Sequence, residues 1–281
     1  MAEYKRKNVS ARKRKRKKKK SGVVFRVLMI LIVLMIVAVA VAVSPVCNIS
    51  KVSVEGNRVV TTKSILDTAK LPIGGNAFYT VEGSLIDKVF MTWQPYKDRL
   101  RAKYVYIKNV DFKFGLGGKL VIKITERTPF LYLPFDKKFA LVDAEGVILN
   151  IVSKKPNDNR MVLKGFAFAE KKVGGQTKMN ASSGVVKVNR LIKLFQDYQS
   201  KLPKELISRI TAFDVSKPNN IAMDLTGDIK VLLGEINDYE DSQLIYRLTF
   251  INASLAKIKV GEKGTLDYAT TEDLIWKVAQ D

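Results

Sequence analysis

Between residues 49 and 127 the apolar positions follow a strand spacing, then a helical spacing, then a strand spacing again. Ile49–Glu55 alternates weakly and contains β-branched residues, which predicts a strand. A short helix that Thr61 or Thr62 caps follows it. Glu82–Thr92, with apolar residues at helical spacing, predicts a second helix that Pro95 ends. Two further strands complete the segment: Tyr104–Phe114 and Lys119–Glu126.

From residue 128 to the end, the spacing predicts a mixed β domain with two or more packed helices. One helix begins at Ser182 or Ser183 and runs to about Leu202, and a second carries an apolar stripe from Leu244 to Leu255. The predicted strands are Phe130–Leu133, Phe139–Val142, Val147–Val152, Met161–Phe168, a hairpin around Thr226-Gly227-Asp228, and closing strands within Gly264–Val278. The fold class is therefore α+β.

An apolar stretch near the N-terminus predicts a membrane-spanning helix. Val27–Val43 is 17 residues long and has no charge. Gly22–Phe25 extends it to a length that crosses the hydrocarbon core, and Arg26 can snorkel toward lipid headgroups. The predicted organisation has four parts: a basic tail (residues 1–22), the transmembrane helix (23–44), a first outer domain (49–127) and a second outer domain (128–281).

The charge distribution predicts how this helix is oriented. Residues 1–26 hold 13 of the 49 Lys and Arg residues and one acid, Glu3, in a chain of net charge +22. An excess of Lys and Arg keeps its flank in the cytoplasm and attracts anionic lipid. We therefore predict a cytoplasmic N-terminus and an extracytoplasmic C-terminus. The membrane-orienting residues are Lys13, Arg14, Lys15, Arg16, Lys17, Lys18, Lys19, Lys20 and Arg26.

Two other interpretations of the N-terminal region are open. A dense basic run is also typical of nucleic-acid binding, but no folded basic module accompanies it, so we expect no nucleic-acid partner. A cleaved signal peptide is the stronger alternative, because Ala38-Val39-Ala40 and Ala40-Val41-Ala42 both satisfy a small-x-small cleavage pattern. The long basic flank and the long apolar stretch favour retention of the helix.

The residue types argue against most catalytic chemistry. The chain has no histidine and a single cysteine, Cys47, which excludes the common nucleophile–base pairs and an internal disulfide. FGLGGK lacks the spacing of a phosphate-binding loop and predicts a turn. Asp143 and Glu145 are either an acid/base pair or part of a type I turn, and their DAEG context favours the turn. We expect a non-enzymatic protein with no metal, cofactor or small-molecule substrate.

The order strand, helix, helix, strand, strand just outside a membrane helix resembles a polypeptide-transport-associated (POTRA) domain. Three stretches are similar to successive signatures of the FtsQ/DivIB cell-division family and occur in the same order: KVSVEGNRVVTTKSI, KITERTPF and FALVDAEGVIL. The residue types in these motifs favour structural roles, because they place turns and a proline at strand ends. The motif residues are Gly56, Asn57, Glu126, Arg127, Pro129, Asp143 and Gly146.

The resemblance implies that partner proteins bind the C-terminal edge of the second domain, where a terminal strand exposes backbone groups for strand addition. Trp276 is either an anchor for the partner or a cap of the domain's own core. Family members often have LDLR where this chain has LDYA, so we expect Lys277 or the helix from Glu240 to Arg247 to compensate for the missing arginine. The residues assigned to the contact are Tyr268, Leu274, Ile275, Trp276 and Lys277.

The function implied by the resemblance is a scaffold of the bacterial division septum. Such a protein binds FtsB/DivIC-like and FtsL-like single-span division proteins outside the membrane, and couples septal wall synthesis to ring assembly. The POTRA-type domain is expected to supply a second docking edge. Two other classes stay open: a membrane-anchored cell-wall enzyme, for which no catalytic group emerges, and a POTRA-containing envelope or sporulation-assembly protein.

Overall fold

The computed structural model describes residues 21–268 and 275–279, which form seven α-helices and twelve β-strands. The helices are α1 (Ser21–Ala42), α2 (Thr62–Ala69), α3 (Leu85–Phe90), α4 (Gln94–Lys103), α5 (Ser183–Asp197), α6 (Lys204–Arg209) and α7 (Asp241–Leu255). The strands are β1 (Lys51–Glu55), β2 (Ile107–Gly115), β3 (Lys119–Glu126), β4 (Pro129–Phe135), β5 (Lys138–Asp143), β6 (Ile148–Val152), β7 (Val162–Lys164), β8 (Ile210–Asp214), β9 (Ile221–Leu225), β10 (Ile229–Gly234), β11 (Gly264–Asp267) and β12 (Ile275–Val278). The α+β prediction is confirmed.

The first helix, α1, is long and apolar enough to cross a membrane. None of its apolar window, Gly22–Ala42, is buried against the rest of the protein. A core helix of the same composition would bury that surface, so α1 has the exposed apolar surface expected of a helix surrounded by lipid. Arg26 lies within α1, whereas Lys13–Lys20 of the predicted orienting tail lie outside the described residues.

The chain divides into two compact units, each built from several segments. Among the described residues, the first unit comprises 21–55, 69–97 and 111–122, and the second comprises 56–68, 98–110, 123–268 and 275–279. In the first unit, Trp93 is buried and its ring stacks on that of Phe112 with centroids 5.2 Å apart. Its core residues are Ile49, Ala77, Val81, Trp93, Tyr96 and Leu120.

A three-stranded sheet of order β1-β3-β2 follows the predicted strand pattern, but three helices rather than two precede its last strands. The extra helix is α4, which has Pro95 as its second residue. Because the first turn of a helix needs no intrahelical N–H donor, proline there favours a start, not an end. Pro95 therefore opens α4, and the positive φ angles of Met91 and Trp93 separate α4 from α3.

The second unit contains a nine-stranded mixed sheet of order β12-β11-β10-β9-β8-β7-β4-β5-β6. Parallel pairs join β4 to β7, β7 to β8 and β10 to β11. Residues of α5, α6 and α7 pack with the strands in one apolar core, including the predicted α7 stripe. That stripe is Leu244, Leu248, Ile251 and Leu255. The short elements α6 and β8, which follow each other directly in the chain, were not predicted from the spacing pattern.

Candidate partner-binding site

The strand β12 lies at one end of the nine-stranded sheet and pairs with β11 in antiparallel register. Leu266 is opposite Trp276, and Asp267 is opposite Ile275. Beyond β12 the part of the chain that the structure describes places no further strand. The outer edge of β12 therefore offers backbone N–H and C=O groups of the kind to which another strand can pair.

The backbone of β12 alternates between groups that face β11 and groups that face outward. The N–H of Ala279 donates to the carbonyl of Lys263 at 3.0 Å, so the backbone groups of Ala279 face β11. Backbone groups of alternate residues point to the same side of a strand, so those of Lys277 and Ile275 also face β11. By the same alternation, the N–H groups of Trp276 and Val278 face outward. These two residues carry the backbone donors available to an added strand.

The Trp276 side chain packs against the core of its own domain. It lies opposite buried Leu266, and Gly264 on the neighbouring strand leaves room for its ring, since a Cβ at Gly264 would lie 2.9 Å from Trp276 Cη2. The indole Nε1 is buried and has no hydrogen-bond partner among the described residues. Of the two roles considered for Trp276, the structure shows the core cap, while partner anchoring stays a prediction.

The side chains of Ile275 and Lys277 alternate with that of Trp276 along β12. Ile275 is 39% exposed, and the Lys277 ammonium lies 3.1 Å from the carboxylate of Asp267, which is buried. Val278, which the sequence analysis did not select, is also exposed. Leu274 lies outside the described residues.

Tyr268, the remaining residue assigned to the contact, is buried beneath Arg247 of α7. The Arg247 guanidinium lies 3.9 Å from the centre of the Tyr268 ring and 4.1 Å from that of Tyr239, and it donates a 2.8 Å hydrogen bond to the Tyr268 carbonyl. Such stacking favours arginine, whose planar cation interacts with aromatic faces. α7 therefore places an arginine beside the LDYA stretch.

Two aromatic residues of α7 were missed by the sequence analysis. Tyr246 is 70% exposed and Phe250 is 41% exposed, and the Phe250 ring lies 6.2 Å from that of Tyr268. They are four residues apart and so share one side of the helix. The sequence does contain a signal for their exposure, because neither residue belongs to the apolar stripe of α7 that packs in the core. We call β12 together with Tyr246 and Phe250 the C-terminal surface.

The motif residue Glu126 binds three backbone amides with its carboxylate. The N–H groups of Arg58, Val59 and Val60 donate to it at 3.0, 2.7 and 2.9 Å. Asn57 closes the same turn, because its side-chain amide donates to the Val60 carbonyl at 2.8 Å. Hydrogen bonds from backbone amides to a charged carboxylate are stronger than those between neutral groups, so Glu126 stabilises the turn that contains Arg58–Val60.

Arg127 is the centre of an ion-pair cluster with the DAEG turn. Its Nη1 lies 2.7 Å from Asp143 and 2.9 Å from Glu145, and Lys108 also pairs with Glu145 at 2.5 Å. Burial opposes the charge of Arg127, but the hydrogen bonds to Asp143 and Glu145 outweigh it and raise the pKa of Arg127. The hydrogen bonds from Lys108 and then Arg127 lower the pKa of Glu145.

The DAEG turn itself is formed as predicted. The Gly146 N–H donates to the Asp143 carbonyl at 3.0 Å, and the Asp143 carboxylate accepts from the N–H groups of Glu145 and Val147. Asp143 and Glu145 are thus held by structural partners. This arrangement supports the turn over an acid/base pair.

We predict that Glu126→Gln lowers the free energy of unfolding by about 1–2 kcal/mol, because a neutral amide accepts the three N–H groups less well than a carboxylate. Urea unfolding of the full chain in detergent measures the loss. Glu55→Gln, at an exposed position of β1, is the control and should change stability by less than about 0.5 kcal/mol. Equal effects of the two substitutions would contradict this role of Glu126.

Together these features define a protein with an apolar N-terminal helix long enough to cross a membrane, followed by an α+β region whose larger sheet has an open edge at β12. Residues 132–268 match the family model described as cell division protein FtsQ/DivIB, C-terminal. This stretch, just under half of the chain, is similar to the C-terminal domain of the FtsQ/DivIB cell division proteins.

Several cell division proteins are similar to this chain over part of its length. The cell division protein DivIB of Clostridium acetobutylicum is 26% identical over 172 residues, which are 61% of each chain. DivIB of Clostridium botulinum (strain Loch Maree) is 28% identical over 52% of each chain. The cell division protein FtsQ of Streptomyces coelicolor is 32% identical over 39% of this chain and 38% of its own. The matched region therefore spans about half to three-fifths of the first two relatives.

The solved structures that match include the major extracytoplasmic domain of the trans isomer of the cell division protein DivIB from Geobacillus stearothermophilus. The match covers 48% of this chain and 99% of that one, at 13% identity and a TM-score of 0.26. Because the TM-score is this low, no structural conclusion is drawn from the match.

Proposed function

We propose that this protein is a non-enzymatic, membrane-anchored scaffold of bacterial cell division. The names of its relatives support a division role. The observation that carries the scaffold role is the C-terminal surface, which combines the open edge of β12 with two exposed aromatic residues of α7, Tyr246 and Phe250. Partners of the FtsB/DivIC-like and FtsL-like kinds bind there and link septal wall synthesis to ring assembly.

In this proposal α1 stays attached as the anchor, with the basic tail in the cytoplasm and the folded units outside. An anchor confines the partners and this protein to the same membrane, which raises their effective concentration. Gel mobility of a C-terminally tagged full chain tests retention of α1. A product that begins after Ala40 or Ala42 would show that the helix is a cleaved signal peptide and that the anchor is absent.

The partner binds by adding a strand to β12, with Val278 supplying one of the outward N–H groups. We predict that Val278→Pro weakens co-purification of the DivIC-like partner at least tenfold, because proline removes this donor while leaving the β11 side intact. Val278→Thr keeps the N–H and is the matched control, for which binding within about threefold of wild type is expected.

The outcome that would contradict strand addition is equal binding by the proline and threonine variants. A truncation before Asp273 is the coarser test, since it removes β12 altogether. If the truncated chain stays folded and keeps all its partners, the binding surface lies elsewhere. A fluorescent fusion to the full chain separates the alternative role, because a septal location supports division and a spore-envelope location supports spore assembly.

A further inference from the structure

The short helix α3 turns its apolar side chains outward. Leu85, Ile86, Val89 and Phe90 are 81%, 68%, 67% and 73% exposed. Leu85 and Val89 are four residues apart, as are Ile86 and Phe90, so the four side chains form one continuous face of the helix. We call it the α3 apolar face. Contiguous exposed apolar residues of this kind mark a surface that meets another apolar phase or molecule.

The polar residues of α3 are bound within the protein, which holds the apolar face outward. The Asp87 carboxylate accepts hydrogen bonds from the Ser84 N–H at 2.9 Å, from the Ser84 hydroxyl at 2.7 Å and from the Thr92 hydroxyl at 2.5 Å. Lys88 donates to the Tyr79 carbonyl at 3.3 Å. These bonds fix both ends of α3, and the hydrogen bonds of Asp87 lower its pKa, so the carboxylate is charged at neutral pH.

The segment that leads into α3 is attached to the end of the membrane helix. The buried Asn76 side chain donates to the carbonyl of Ala42, the last residue of α1, at 2.9 Å and to that of Ser44 at 3.2 Å. The Ala77 N–H donates to the Cys47 carbonyl at 2.9 Å. Tyr79, which Lys88 contacts, is only three residues from Asn76, a distance of roughly 10 Å at most along the chain.

We propose that α3 lies in the interface of the membrane that α1 spans, with the α3 apolar face among the lipid acyl chains. A helix with one apolar face and a short path to a membrane anchor is suited to this position. Tyr79, 58% exposed beside the anchor, has the amphipathic ring that is common at membrane interfaces. The inference rests on the proposed anchor, but it holds for either orientation of α1, since α3 follows α1 on the same side of the bilayer.

A fluorescence experiment on the full chain in vesicles of phosphatidylcholine and phosphatidylglycerol tests the proposal. In a Cys47→Ser background, Ile86→Cys is labelled with the polarity-sensitive dye NBD. Val260→Cys, a fully exposed apolar position of the second unit, is the matched control. We expect blue-shifted emission at position 86, with quenching by doxyl-labelled lipid acyl chains at least threefold stronger than at position 260. Aqueous iodide should quench the control more strongly.

Other results would overturn the proposal. Equal iodide quenching at the two positions would place the α3 apolar face in water. Protection from iodide without quenching by the labelled lipid, and with a dependence on protein density, would identify a second copy of the chain as the occupant. Vesicle flotation reports the anchor separately: a chain that does not float contradicts the anchor, whereas a chain that floats with a water-exposed label contradicts only the position of α3.

Discussion

Replacing Gly56 with alanine is expected to lower the free energy of unfolding by about 3 kcal/mol. Gly56 has a φ of 82°, and a Cβ there would lie 2.2 Å from the backbone oxygen of Ile124 on β3. A backbone carbonyl within a sheet cannot move aside as a flexible side chain can, so either the turn or the strand must shift. The shift would also disturb the amides of Arg58–Val60 that bind Glu126.

A second glycine allows the two causes of the expected stability loss, the steric clash and the strain of a positive φ, to be measured separately. Gly227, in the β9–β10 hairpin, has nearly the same φ of 86°, but a Cβ there would meet no atom within 4 Å. Gly227→Ala should therefore cost only about 1 kcal/mol, the strain of a positive φ in a non-glycine residue. Urea unfolding of both variants in detergent, followed by far-ultraviolet circular dichroism, measures the difference. Equal losses would show that the Ile124 contact is unimportant.

Glu235→Gln is expected to destabilise the protein by about 2–3 kcal/mol, because it leaves the buried ammonium of Lys187 without its charged partner. The Lys187 side chain is 5% exposed, contacts the Glu235 carboxylate and donates to the Pro218 carbonyl at 2.7 Å. Glu235 is 31% exposed, so water compensates part of the loss. The free energy of unfolding from urea titration measures the effect.

The matched control removes the buried charge. Lys187→Met keeps most of the side-chain volume, and in this background Glu235→Gln should cost less than about 0.5 kcal/mol. If Glu235→Gln costs the same with and without Lys187, the pair does not contribute in the way proposed.

The same pair predicts a pH dependence. The hydrogen bond from Lys187 holds the pKa of Glu235 below its ordinary value of 4.5. An acid with a lowered folded-state pKa contributes stability that is fully present above the unfolded-state value and is lost as the pH falls through the folded-state value. The stability advantage of the wild type over Glu235→Gln should therefore shrink as the pH is lowered below about 4.5. An advantage that does not change with pH would contradict this assignment.

The spacing of residues predicted those parts of the fold that depend on near neighbours along the chain. The helix α1, the buried stripe of α7 and the hairpin at Gly227 each follow from apolar or turn residues a few positions apart. The prediction was wrong where one residue type is compatible with two local structures. Pro95 can begin a helix or end one, and in the structure it is the second residue of α4.

The candidate site divides in the same way. The amino-acid sequence alone determined that the chain has an apolar N-terminal helix, an α+β region after it and closing strands that contain aliphatic residues, since these are properties of local spacing. Only the tertiary structure decided that Trp276 faces the core, that Glu126 binds the amides of Arg58–Val60 and that the α3 apolar face is exposed. The first two depend on contacts between residues that are distant in sequence, and the third depends on which face of the helix packs against the rest of the protein. The periodicity of apolar residues predicts neither.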